Sequence, residues 1–267
     1  MLIREVLPIA PGPKHCVDQA VWGAVQACLA SRELPLFGIP ILALGDAREA
    51  SWFEARLQPL VKHQAVAYGD FICAAAEQGV VHQIELRAAS QALQWLQSTP
   101  QVKQVTVSIS QFSLLVPGAL DQLQSLIRKA DCGPEAICIN VSSMDNIDYA
   151  SHLHAVVREI SATGARTMLD RLDDAQSQRQ KGAVTECDFF RLAEQRIRPL
   201  PDQVAARCAV ELLMRRLLGG ATQVVAEGVA NREQQDFLAK AGVRFMSEVN
   251  STETRCIRVP RVKRRAS

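Results

Sequence analysis

The chain has 267 residues, 48% of them hydrophobic and 22% charged, with a formal net charge of +2. Such a composition excludes a disordered chain, and the length suits one large barrel or two ordinary domains. The near-neutral charge exerts no long-range pull, and no apolar run has the length of a membrane span, so neither nucleic acid nor membrane is expected as a partner.

The first segment, Met1 to Lys14, carries Arg4 and Glu5 ahead of a Pro-rich stretch, where a secretory leader would have an apolar run. It is read as an N-terminal extension of a cytoplasmic protein. Val17 to Leu29 shows helical spacing. Leu36–Leu44 and Trp52–Leu57 are strand-like runs joined by a Gly45-Asp46 turn signal. Phe71–Glu77 and Ile84–Leu96 repeat apolar residues three and four apart and predict helices. Thereafter strands and helices alternate. Strands are predicted at Val105–Ile109, Ala136–Val141, Arg166–Leu169, Asp188–Leu192, Gln223–Ala226 and Val243–Met246. Helices are predicted at Ala119–Ile127, Ile147–Ile160, Val204–Leu218 and Arg232–Leu238. Gly164 and the Gly219-Gly220 pair read as helix stops.

Alternating strands and helices imply right-handed crossovers and a parallel sheet. Eight strand candidates predict an α/β fold, a closed TIM-like barrel with one antiparallel strand near the start. The predicted organisation is an extension at 1–14, a barrel at 15–256 and a basic tail at 257–267. The tail carries Arg258, Arg261, Lys263, Arg264 and Arg265 and reads as a solvated end. In such barrels chemistry gathers at the C-terminal ends of strands. That points to Glu54, Ser108, Cys138, Asp170, Arg191, Glu227 and Ser247.

The eight cysteines stand singly, with no Cys-x-x-Cys pair, so a zinc ribbon and a thioredoxin-like motif are both excluded. His152 and His154 are two apart on a predicted helix and do not share a face. Ser108-Ile109-Ser110 lacks a nucleophile elbow. Trp22, Trp52 and Trp95 fall in apolar patterns and read as core.

Five segments, in order, resemble motifs of the EAL domain, the cyclic-di-GMP phosphodiesterase family. They are Ile39-Pro40-Ile41, Phe53-Glu54-Ala55-Arg56-Leu57, Asp70-Phe71-Ile72 with Ala76-Glu77-Gln78-Gly79, Val107-Ser108-Ile109-Ser110, and Val224-Val225-Ala226-Glu227-Gly228-Val229. The resemblance implies the EAL type of barrel and, in active members, two divalent ions on carboxylate and amide ligands. Carried over position by position, Glu54, Asp170 and Glu227 match the family. The Asn ligand is replaced by Ser108, the next strand's Glu by Cys138, and the second Asp of a pair by Arg171. Arg191 stands for the family Lys, Ala230 for a second Glu, and Ser247-Glu248 for a late Gln-Gly. A shifted register, with Asp173-Asp174 as the paired aspartates, stays open.

These replacements predict a degenerate, catalytically inactive EAL-like domain with no metal and no cofactor, acting on an unidentified protein partner in bacterial signalling. Arg171 is expected to pair with Glu54, Asp170 or Glu227 in place of the metals. Two alternatives stay open. One is a cyclic-di-GMP receptor using Arg56, Arg171 and Arg191. The other is a residual phosphodiesterase using Glu54, Asp170 and Glu227 with one metal.

Overall fold

Helix α1 (Gln19–Ala30) leads into strand β1 (Leu36–Ala43), which turns at Gly45, with φ +84°, toward β2 (Trp52–Leu57). The computed structural model describes residues 19–45, 49–61, 64–142, 150–170, 186–217, 221–248 and 255–258. A two-residue hairpin, β3 (Leu60–Val61) and β4 (Gln64–Ala65), is followed by α2 (Tyr68–Glu77) and α3 (Val81–Ser98). From there the chain runs β5 (Gln104–Ser110), α4 (Gln111–Leu114), α5 (Ala119–Lys129), β6 (Ile137–Ser142), α6 (Ala150–Ser161) and β7 (Arg166–Asp170). It continues through β8 (Phe189–Leu192), α7 (Glu194–Ile197), α8 (Val204–Leu217), β9 (Gln223–Val229), α9 (Arg232–Lys240), β10 (Phe245–Glu248) and β11 (Arg255–Ile257).

The sheet order is β10-β9-β8-β7-β6-β5-β2-β1-β11, and β10 also pairs with β1, which closes an eight-stranded barrel. Within the barrel, every pairing from β2 round to β10 is parallel. Strand β1 alone runs against its neighbours, antiparallel to β2, β10 and β11. The predicted barrel with one antiparallel strand near the start is the observed fold.

Period-two alternation sorts the side chains. Val105, Val107, Ile109, Ile137, Ile139, Val141, Phe190, Leu192, Val224 and Ala226 belong to the large core between the sheet and the helices. The intervening residues form a second, smaller cluster: Ile41, Trp52, Cys138, Met168, Phe189 and Val225, with Phe245 packed on it. Trp52 and Phe189 lie 4.8 Å apart, and Phe245 meets Trp52 edge-on at 5.1 Å. This plug fills the barrel at the N-terminal ends of the parallel strands. Cys138 is therefore not a strand-end residue at the mouth, as the sequence suggested. It is the second residue of β6, fully buried, and burial pushes its thiol up to about 12.

Strand β11 crosses the boundary drawn between 256 and 257, so Ile257 is part of the barrel's packing. It is held by Gln91 of α3, whose amide donates to the carbonyls of Leu34 at 2.9 Å and Ile257 at 3.2 Å and accepts from Leu34 N at 2.8 Å. Trp52 and Trp95 are buried, and Trp22 packs at the core's edge. Among the described residues no helix is long and apolar enough to cross a membrane.

Gly38 of β1 leaves room for the Trp95 ring of α3. A methyl group there would stand 2.9 Å from Trp95 Cη2 and 3.5 Å from Phe53 Cδ1. Trp95 is locked edge-on against Phe53, with centroids 5.5 Å apart, and has little room to give. Gly38→Ala is expected to destabilise the fold by about 1–3 kcal/mol, read as a lower midpoint in urea unfolding.

Candidate functional site

At the other end of the barrel the inward positions turn polar. One period above Trp52 on β2 comes Glu54, and above that Arg56. Arg191 follows Phe189 on β8, and Glu227 follows Val225 on β9. These four side chains meet. Arg191 Nη1 donates to Glu54 Oε1 at 2.9 Å, while Arg56 Nη2 donates to Glu54 Oε2 at 2.8 Å and to Glu227 Oε1 at 2.7 Å. Glu54 thus has a guanidinium on each oxygen, and Arg56 bridges two acids on different strands. The inner pair is dry, with the Arg191 and Glu54 side chains only 6% and 5% exposed, whereas Arg56 is 42% exposed at the rim.

The cluster walls a cavity of about 190 Å³ that is also lined by Tyr68, Ser108, Ser142 and Glu85. Ser108 faces Asn140 across the β5–β6 register and accepts a hydrogen bond from its Nδ2 at 3.0 Å. The backbone of Asp170 lies between Ser142 and Arg191 in the sheet register. The EAL domain profile matches residues 43–247 of this chain. The chain belongs to the EAL domain family.

Solved structures agree on the fold. The EAL domain of FimX from Pseudomonas aeruginosa, bound to c-di-GMP, is 18% identical with a TM-score of 0.76, covering 90% of this chain and 98% of that one. The PaMucR phosphodiesterase in complex with c-di-GMP is 17% identical with a TM-score of 0.75, covering 88% and 97%. The Xanthomonas citri FimX EAL domain, also with c-di-GMP, is 16% identical with a TM-score of 0.71, covering 87% and 92%. No curated protein is similar enough to count as a relative.

Within this EAL domain, Glu54, Arg56, Arg191 and Glu227 come together, a pairing the sequence reading did not name. The neutralising guanidiniums are those of Arg56 and Arg191. Arg171, expected in that role, lies outside the described residues, as do Asp173 and Asp174. On β6 the residue level with Ser108 is Asn140, not Cys138, which sits roughly 6.7 Å lower on the same face. The two-residue strand period carries the signal for Asn140, since it is the next inward position after Cys138. Ser247 is in register with Glu227 on β10.

A divalent ion of the kind active members use takes hard oxygen ligands. The described side chains do not fit one as arranged. Both Glu54 oxygens accept from guanidinium groups, Arg56 stands between Glu54 and Glu227, and Ser108 is hydrogen-bonded to an amide. Among the described residues no group of three or more His, Cys, Asp or Glu could hold a metal.

Glu85 was missed in the sequence. It stands four residues after Val81 and three before Ala88, on the buried stripe of α3, and a charged residue on such a stripe is itself a signal. Its Oε2 accepts from Ser110 N at 2.8 Å, from Ser110 Oγ at 3.0 Å and from Ser113 Oγ at 2.5 Å. Tyr68 OH donates to its Oε1 at 3.4 Å. The carboxyl therefore ties α2, α3 and the β5–α4 junction together behind the cavity.

The two buried carboxyls titrate in opposite directions. Burial raises Glu85 from an ordinary 4.5 to about 7, outweighing the hydrogen bonds that favour its anion. Burial would raise Glu54 too, but the charges of Arg191 and then Arg56 overcome it and hold the carboxyl at about 2. Linkage gives each a sign. The raised Glu85 contributes stability that is full below 4.5 and is lost as pH rises toward 7. The lowered Glu54 contributes stability present above 4.5 and lost as pH falls toward 2. Glu85→Gln is therefore expected to flatten the decline in urea stability between pH 4.5 and 7 while leaving the acid limb intact. Glu54→Gln should flatten the acid limb instead.

Proposed function

We propose that this EAL domain is catalytically inactive and works by contact with another protein in bacterial signalling, in the cytoplasm. One observation carries the reading: Arg56 bridges Glu54 and Glu227, at 2.8 and 2.7 Å. A cation that must enter between those acids meets a fixed positive charge already there. Removing Arg191 from the dry inner pair leaves Glu54 an uncompensated buried charge, so that pair resists rearrangement toward a metal site. The activation of water by metal in this fold has no counterpart among Glu54, Ser108 and Asn140 as they are arranged. The unit proposed to do this work is the barrel from residue 15 to β11, flanked by the 1–14 extension and the basic tail.

A second reading is a receptor that binds cyclic-di-GMP without hydrolysing it. The partial exposure of Arg56 at the cavity rim favours it, since a guanidinium there is within reach of a phosphate. Such a ligand would first have to compete with the acids that Arg56 and Arg191 already hold.

Titration calorimetry of cyclic-di-GMP into the purified protein, with and without Mg²⁺, is expected to show no heat of binding. Micromolar affinity or better, about −8 kcal/mol, would move the protein to the receptor reading. Hydrolysis assays with Mg²⁺ and with Mn²⁺ are expected to show no turnover. Turnover that Glu54→Gln abolishes would replace the main reading with a residual phosphodiesterase on Glu54, Asp170 and Glu227.

A further inference from the structure

The cavity at the barrel mouth has a second wall. Arg56, Ser108 and Arg191 line it from inside the barrel, but Leu57, Ile72, Ala88 and Val107 belong to the core between the sheet and the helices. The space therefore runs from the mouth into the layer beneath α2 and α3. Tyr68 of α2 and Glu85 of α3 stand on this helical side, and Glu85 is only 2% exposed.

Glu54 and Glu227 are answered by Arg56 and Arg191, but Glu85 has no such partner. Among the described residues its hydrogen bonds come only from Ser110, Ser113 and Tyr68, all neutral. Helices α1 and α4 and strand β5, packed around α3, carry no charged residue. The charges of α2 (Asp70, Glu77) and α5 (Asp121, Arg128, Lys129) are exposed. On α3 itself, Arg87 is held by the carbonyls of Cys28, Leu29 and Ser31, and His82 makes no bond to Glu85. The two Glu85 oxygens are also used unequally. Oε2 takes three donors, while Oε1 has only the Tyr68 hydroxyl, at 3.4 Å, among the described residues. A carboxylate oxygen has two lone pairs, so Oε1 keeps accepting capacity on the side of Tyr68 and the cavity.

We infer that the helical end of this cavity binds a small primary ammonium ion carrying a short apolar stem. The ammonium donates to Glu85 Oε1 and to the Tyr68 hydroxyl, which can accept while it donates to the carboxylate. The stem lies against Leu57, Ile72, Ala88 and Val107. A divalent ion does not suit this end, because it takes about six oxygens and the walls here are carbon. The volume of about 190 Å³ sets the size. An apolar cavity of about 150 Å³ takes up benzene, so an amine of a few carbons fits. Without a ligand the proton fills the same role, and burial accordingly raises Glu85 to about 7. Ammonium and proton therefore compete. Affinity should be full above about pH 7 and fall about tenfold per pH unit below it.

Glu85 lies outside the Glu54–Arg56–Arg191–Glu227 cluster, so failure here would leave the reading of that cluster untouched. The probe is n-butylamine, whose lysine-like ammonium stays charged up to about pH 10. Titration calorimetry into the full chain at constant ionic strength is expected to show saturable millimolar binding at about pH 8. Binding should weaken about tenfold from pH 6 to 5, with a proton released to the buffer on each binding event. The neutral isostere n-butanol should bind at least about tenfold more weakly. Glu85→Gln should cost at least about tenfold and remove the pH dependence, while Tyr68→Phe should weaken binding and keep it. If Glu85→Gln fails to fold, the pH profile and Tyr68→Phe decide the matter. No binding at about pH 8 would overturn the inference. So would butanol binding as tightly as the amine, or amine binding indifferent to pH.

Discussion

Glu54 is a carboxylate with almost no water around it, and a charge in that position must be neutralised from nearby. Metal ions are one solution, and guanidinium groups are another. Here Arg191 takes one oxygen from inside the barrel and Arg56 takes the other from the rim. Because Arg56 also reaches Glu227, the cluster stitches β2 to β9 across the mouth, with β8 contributing the inner cation. The donors are planar and fixed in geometry, so the arrangement is more rigid than one built on lysines. Everything around the mouth adjusts to it. Ser108 and Asn140 pair with each other, and the cavity beside Arg56 stays small.

The mouth has this shape because of what lies beneath it. Trp52, Phe189 and Phe245 pack as a plug with Cys138, Met168 and Val225, and Trp52 Nε1 donates to Thr106 Oγ1 at 2.8 Å. Each strand of the plug then places its next inward residue one layer higher. Glu54, Asn140, Arg191 and Glu227 are thereby set at fixed heights on a floor that excludes water. The pairing of acid and arginine strengthens in that low-dielectric setting, and so does the penalty for separating them.

Much of this was legible from residues alone. The strand runs Trp52–Leu57 and Arg166–Leu169 were visible because apolar residues alternate or cluster between turn signals, and the order of strands and helices dictated a barrel. Glu54, Arg56, Arg191 and Glu227 were picked out by motif and by position near strand ends. What failed was depth along a strand. Cys138 lies on the correct face of β6 but in the lower layer, and a one-dimensional pattern of period two does not say how far a strand has climbed. Register with Ser108 decides it, and register is a property of two strands. Strand β11 was invisible for a related reason. Three residues carry no periodicity, and its anchor is Gln91, far away in the chain. Glu85 was readable in principle as the odd charge on a buried helical stripe.

The single antiparallel strand has a consequence for how the molecule is made. Strand β1 is made before every other strand of the barrel, yet its partners on one side are β10 and β11, with Leu42 facing Met246 and Leu36 facing Ile257. Barrel closure is therefore the least local event in the fold, and its entropic cost is met only when the barrel's last strands are present. Until then the lower plug lacks Phe245, and β1 shows an unpaired edge. The nascent barrel must carry that open seam until its last strands are made, when exposed edges and apolar surface most readily find the wrong partner.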